Sequence, residues 1–365
     1  MTKNKLILGA LALGLSAGSF AQVEKFVVLE EKTGTWCGFC PYGTVAFDNL
    51  ENDEPNFIGI AIHNSDPMAN STYDSESAGL PGFTGYPYAA ADRIEGDHAA
   101  YAPDKFAIRE TETPVASIDV GGYIDGDQLE IRIVANFTEQ QSGDWRLAAV
   151  VTEDHVTGTG SGYAQSNYFA GGGYGPLSGA GKDWHTEPNP VPAAEMEYNH
   201  VARALGDDAY EGVDASLPAT MSAGVNYWYS YYVDIDPSWD LENIHVVAML
   251  VEPSGTINNA GKGSVESSEV GTVGLEEDAA NAFAITAYPN PASDFVNLTV
   301  ELEEASAVTI EVVNMLGAVV STIETQNLAI GTHYNELDVA DLTEGVYFIK
   351  TTVNETVEMT KIVVQ

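Results

Sequence analysis

Three observations make this a multi-domain chain of α/β plus all-β type. Apolar runs alternate with a helical pattern over residues 22–113, aromatic and β-branched alternation dominates 114–271, and short strands between turn residues fill 284–365. The expected order is an α/β domain, a β-sandwich domain and a small second β-sandwich, with the Gly-bearing acidic stretch 272–283 as linker. A length of 365 residues accommodates two or three such domains.

The first element is a targeting segment. Lys3 and Lys5 precede an apolar run from Leu6 to Leu15, and Ser19-Phe20-Ala21 supplies a small-residue ending, so residues 1–21 read as a secretory signal peptide cut before Gln22. A membrane anchor is the competing reading, but the run is too short and is broken by glycine and serine. The mature chain is therefore expected outside the cytoplasm, secreted or attached at the outer surface, where disulfides persist. No membrane-spanning segment is expected in it.

Phe26–Leu29 has the pattern of a buried strand, 41–51 that of a short helix opened by Pro41, and Phe57–Ile62 that of a second buried strand. In the middle zone Leu129–Phe137, Trp145–Val151, Tyr227–Ile235 and His245–Val251 read as strands. Between them the Gly- and Tyr-rich loop 157–192 is too long for a plain connection and is a candidate binding loop or lid. In the last zone, strands are expected over 297–302, 308–314, 319–324, 345–352 and 359–364.

Composition narrows the function. With 54 acidic against 14 basic residues the net charge is −40, which excludes electrostatic binding of nucleic acid or an anionic bilayer. Two cysteines exclude a disulfide-dense scaffold and a four-cysteine zinc site. The seven histidines are scattered without a metal-ligand spacing, so neither metal nor cofactor is expected.

Both cysteines lie in Cys37-Gly38-Phe39-Cys40, after the first strand and at the start of the first helix. A thiol there faces the positive end of the helix dipole, which favours thiolate. Cys37 is expected as the exposed nucleophile and Cys40 as the shielded resolving thiol. A static disulfide is the competing reading. Gly85-Tyr86-Pro87 opens an apolar run, with Pro87 forty-seven residues after Cys40.

Thr35-Trp36-Cys37-Gly38-Phe39-Cys40-Pro41 together with Gly85-Tyr86-Pro87 resembles the thioredoxin fold. The resemblance implies a cis peptide bond at Pro87, a substrate-presenting role for that residue, and a buried acid at Glu31, with Glu30 as its rival. Trp36, next to the nucleophile, completes the candidate catalytic set of Cys37, Cys40, Pro87, Glu31 and Trp36. The central dipeptide is Gly38-Phe39 where thioredoxins have Gly-Pro, which leaves the direction of exchange open.

Over 25–265 the chain resembles the outer-membrane-protein-28-related family of Bacteroidetes. The likeness rests on 28–37, His63-Asn64-Ser65-Asp66-Pro67, Asp92-Arg93, Tyr198–Arg203 and Ile257-Asn258-Asn259-Ala260. It implies an envelope protein with a thioredoxin-like front. Residues 284–365 resemble the type A sorting domain of the type IX secretion system, carried by Tyr288-Pro289-Asn290-Pro291, Asn314-Met315-Leu316-Gly317, Leu342–Phe348 and Lys361-Ile362-Val363-Val364. That implies a small Ig-like sandwich and the type IX translocon as partner.

The functional expectation is thiol-disulfide exchange with protein thiols or disulfides. The alternative is a surface-binding protein with an unknown partner, using the same fold as scaffold. Among lesser candidates, His200 and Arg203 are spaced as helical neighbours and read as a polar pair fixing the long loop, and Asp125-Gly126-Asp127 as a hairpin turn.

Overall fold

The computed structural model describes residues 23–267 and 283–364, the latter with gaps at 289, 291, 293–294, 303–304, 315–318, 341, 344 and 355. The expected signal peptide 1–21, nearly all of the expected linker 272–283, Pro289, Pro291 and Gly317 lie outside the described residues.

The first part runs β1 (Val27–Thr33), α1 (Pro41–Asp53), β2 (Phe57–His63), α2 (Ser71–Glu76), β3 (Tyr88–Ala91), β4 (Glu95–His98), α3 (Ala102–Arg109). β1 and β2 pair in parallel, β3 runs antiparallel to β1, and β4 antiparallel to β3, giving the order β2-β1-β3-β4. α1 starts where expected because Pro41 occupies its first turn, where a missing N–H costs nothing. Its Ala46, Phe47 and Leu50 pack with Val27, Leu29, Phe57 and Phe106 of α3 on one face of the sheet. Val28, Ile58, Ile60 and Ile62 face the other way, towards Tyr73 of α2.

β1 is longer than its apolar run because it continues through buried polar residues. Glu30 accepts hydrogen bonds from Arg93 at 3.0 and 3.1 Å and from the Tyr73 hydroxyl at 2.7 Å. Lys32 meets the Asp74 carboxylate at 2.5 Å and the Ser77 hydroxyl at 2.9 Å. Paired in this way, buried charge becomes compatible with a central strand.

The middle part contains β5 (Ala116–Asp125), β6 (Gln128–Phe137), β7 (Arg146–Glu153), β8 (Val201–Leu205), β9 (Asn226–Asp234), β10 (Ile244–Val251) and β11 (Ile257–Ser267). They lie in the order β9-β6-β5-β11-β10-β7-β8. Alternate residues of β6 and β9, among them Ile131, Ile133, Tyr229 and Tyr231, share one core with Leu147, Ala149, Val246 and Ala248 of β7 and β10. Gly126, at φ +66°, closes the β5–β6 hairpin.

The sheet does not stop at residue 113. β8 also pairs with β2 through Val201 and Ala61, and Ala148, Val150, Val247 and Met249 join Val28 and Ile60 in one core. Asn259 fastens the join, its side chain bonding the Phe26 N–H and the carbonyls of Glu24 and Ala116. Where three separate units were expected, the first two thus share a sheet and a core.

The last part has β12 (Phe283–Tyr288), β13 (Phe295–Leu302), β14 (Ser306–Asn314), β15 (Val319–Leu328), β16 (Gly331–Asp338), β17 (Gly345–Val353) and β18 (Thr356–Val364). A sheet β12-β13-β16 and a run β15-β14-β17-β18 enclose Leu298, Val300, Val308, Ile310, Val312 and Ile349. Strand β16 was not anticipated, since His333, Asn335 and Glu336 mask its alternation.

Candidate functional site

The loop from β1 to α1 carries the cysteines. The Cys37 N–H donates to the Gly34 carbonyl at 3.0 Å, turning the chain so that Cys40 caps α1. Cys37 and Cys40 form a disulfide with Cα atoms 5.3 Å apart. Their exposures are 5% and 1%, so Cys37 is not the exposed residue the sequence suggested. The physical reason is a cover from elsewhere in the chain, described below.

Trp36 is exposed, and its indole N–H donates to the Asn64 carbonyl at 2.7 Å. Its ring meets Tyr86 edge-on at 5.2 Å. The residue before Cys37 therefore touches the residue before Pro87. The Tyr86–Pro87 peptide is cis, and Pro87 is buried at the entrance to β3 with its carbonyl facing the Ala99 N–H at 3.4 Å.

Glu31 lies on the α1 face of β1. A Cβ added to Gly43 would fall 1.8 Å from Glu31 Oε1, so the carboxyl is seated against the backbone of the first turn of α1. The Gly43 N–H in turn donates to the Cys40 carbonyl at 2.9 Å. Oε1 has no hydrogen-bond partner among the described residues. Burial pushes the carboxyl from its ordinary 4.5 up to about 8, with the Thr33 side chain pulling the other way. Glu30, the rival, is committed to Arg93 and Tyr73 on the opposite face.

Glu31 also lines a cavity of about 560 Å³, with Thr33, His63, Asp154, Tyr198 and His200 among its walls. His200 is buried there and burial lowers its pKa, against the pull of Asp154. For Asp154, burial would raise the pKa, but the His245 hydrogen bond and the His200 charge outweigh it and the carboxyl is held low. The expected helical pairing of His200 with Arg203 is corrected. His200 precedes β8 at φ +59°, while Arg203, on the strand, pairs with Glu153 at 2.5 Å.

The cover over the cysteines is the loop 157–192. Ser166 N–H donates to the Thr35 carbonyl at 2.7 Å, Gln165 Nε2 to the Cys37 carbonyl at 2.9 Å, and Tyr168 N–H to the Gly38 carbonyl at 3.0 Å. Phe39 packs edge-on against Tyr168, Phe169 and Tyr174. The loop has a core of its own, with Phe169 and Trp184 fully buried. Sequence reasoning singled out the loop but not its target, because no local pattern ties Gln165 to Cys37. Gly43 was also missed, because a lone glycine inside a helical pattern carries no signal of what packs against it.

Among the described residues no group of three or more His, Cys, Asp or Glu side chains is placed to hold a metal ion. No described helix is long and apolar enough to cross a membrane.

Residues 286–365 match the secretion system C-terminal sorting domain. The chain is accordingly a secreted or cell-surface protein, and the type IX secretion machinery is a partner of its C-terminal part. No curated protein matches the chain. Dimeric latent PorU from Porphyromonas gingivalis is similar at 14% identity and a TM-score of 0.23, over 71% of this chain and 21% of that one. This chain thus spans about a fifth of the PorU chain. The sulfur carrier protein SoxY from Chlorobium limicola f thiosulfatophilum matches at 13% identity and TM-score 0.17, over 24% of this chain and 76% of that one. Red sea bream transglutaminase matches at 8% and 0.19, over 72% and 33%. Scores this low carry no argument about fold or function.

Proposed function

We propose that the chain is a type IX-exported, thioredoxin-like protein of the outer-membrane-protein-28-related kind, whose Cys37–Cys40 pair undergoes thiol-disulfide exchange. One observation carries this reading. The disulfide closes the N-terminal turn of α1, and the Glu31 carboxyl, whose Oε1 has no partner among the described residues, sits against that same turn. The strand order β2-β1-β3-β4, with helices on both faces, also supports it. In this reading a thiolate attacks Cys37, Cys40 leaves, and protonated Glu31 serves as a proton source beneath the helix. Trp36 and Pro87 frame the approach.

A second reading, a static disulfide in a surface-binding scaffold, is favoured by the burial of both cysteines beneath 157–192. The reduction potential of the pair separates the two. Exchange calls for a value above about −300 mV, and a value below it marks a structural bond. Dithiol-dependent turnover that persists in Cys37→Ser would also end the exchange reading.

A further inference from the structure

A peptide substrate adds to a binding surface by pairing its backbone with free carbonyl and N–H groups. Around Cys37 the carbonyls of Thr35, Cys37 and Gly38 already accept from Ser166, Gln165 and Tyr168. The fit is close on the side-chain level too, since a Cβ on Gly38 would lie 2.4 Å from the Tyr168 ring. The covering segment is anchored at several points. Gln165 exchanges backbone hydrogen bonds with Val191 at 3.1 and 2.8 Å, and the fully buried Asn167 donates to the Trp184 carbonyl at 2.7 Å. Beside it an open groove of about 560 Å³ remains against Thr35 and Trp36, the two residues before Cys37, with Asp66, Ser161, Ser166 and Pro190 among its other walls.

We propose that the partner of the Cys37–Cys40 pair is a low-molecular-weight thiol that enters by this groove, and that residues 165–168 exclude protein chains. The inference rests on the exchange reading above. A small thiolate RS⁻ attacks the Cys37 sulfur, the Cys37–Cys40 bond breaks, and Cys40 leaves as thiolate and takes up a proton. A second RS⁻ then attacks the mixed disulfide, releasing RSSR and the Cys37 thiolate. Two thiols are oxidised to one disulfide, and one protein disulfide is reduced to two thiols.

The test compares reduction of the oxidised full chain by glutathione and, at equal thiol concentration, by reduced unfolded ribonuclease, with alkylated Cys37 and Cys40 counted by mass. Glutathione is expected to react about tenfold faster or more, a difference of about 1.4 kcal/mol in barrier. Gln165→Ala, which removes the side-chain hydrogen bonds to the Cys37 and Ser166 carbonyls, and Tyr168→Ala, which opens the cover further, are expected to raise the ribonuclease rate and to move the glutathione rate much less. Equal rates in the unmodified chain, or a gap that both variants leave unchanged, would overturn the exclusion. Failure of both thiols on the chain and on both variants would instead overturn the exchange reading itself.

Discussion

Glu31→Gln isolates the energetic consequence of burying a carboxyl whose burial no cation offsets. Moving that carboxyl from 4.5 to about 8 corresponds, at about 1.4 kcal/mol per pKa unit, to about 5 kcal/mol. The sign follows from proton counting. Below pH 4.5 the group is protonated folded and unfolded, and it costs nothing. Between 4.5 and 8 the unfolded chain releases the proton while the native one keeps it, so stability falls by up to about 1.4 kcal/mol per pH unit. Above 8 the loss is complete. Glutamine keeps the shape and cannot ionise, so this slope is absent in the variant.

Urea unfolding of the oxidised protein and of Glu31→Gln at intervals from pH 5 to 9 reads the difference directly. His200, which lines the same cavity, is present in both proteins and its titration cancels to first order. The variant should gain steadily on the parent up to about pH 8 and then run parallel to it. Water entering the cavity reduces the full figure, so a gain of about 2 kcal/mol or more is expected. A difference that stays flat across the range would refute the reasoning, because it would mean the carboxyl ionises as freely in the fold as out of it.

Gly43→Ala should destabilise by about 1–3 kcal/mol through overlap with Glu31, despite alanine's better helix propensity, and adding Glu31→Ala should recover most of that in a double-mutant cycle. Glu30→Gln leaves the Arg93 guanidinium buried without its counter-charge and should cost about 3–5 kcal/mol in denaturant unfolding. Trp184→Ala removes the fully buried anchor of 157–192 and should cost about 3–5 kcal/mol, with new protease cuts inside the loop, whereas the exposed Tyr174→Ala should be near neutral. Residues 286–365 fused to a carrier should carry it out of a type IX-competent cell, and retention in the periplasm would contradict the sorting role.

What the sequence made legible was periodic or local. α1 shows itself by Pro41 and an amphipathic run, and β2 and β10 by unbroken apolar stretches. β1 was cut short at Leu29 because Glu30, Glu31 and Lys32 look like a solvated turn, and only partners 42 to 63 residues away make Glu30 and Lys32 compatible with the interior. The shared core of the first two parts was not legible for the same reason. The pairing of Val201 with Ala61 spans 140 residues and leaves no mark in either segment. At the candidate site the disulfide partners were visible as spacing, but their cover was not, since three hydrogen bonds from Gln165, Ser166 and Tyr168 are set by tertiary placement alone.

The three consecutive ionisable side chains of β1 differ in how their burial is compensated. Two of them follow the ordinary rule for buried charge. Glu30 meets Arg93 and Lys32 meets Asp74, both on the α2 face of the sheet. Glu31, one position between them and therefore on the other face, has an oxygen with no partner among the described residues and no cation to offset its burial. An apolar side chain of similar volume there would be the more stable choice at neutral pH. The strand can hold paired charges, as its neighbours demonstrate, so the exception is not forced by the fold. It coincides with the one helix turn that carries a disulfide. A local cost placed at that position, and absent one residue to either side, is what the proposed role of Glu31 as a proton source would account for.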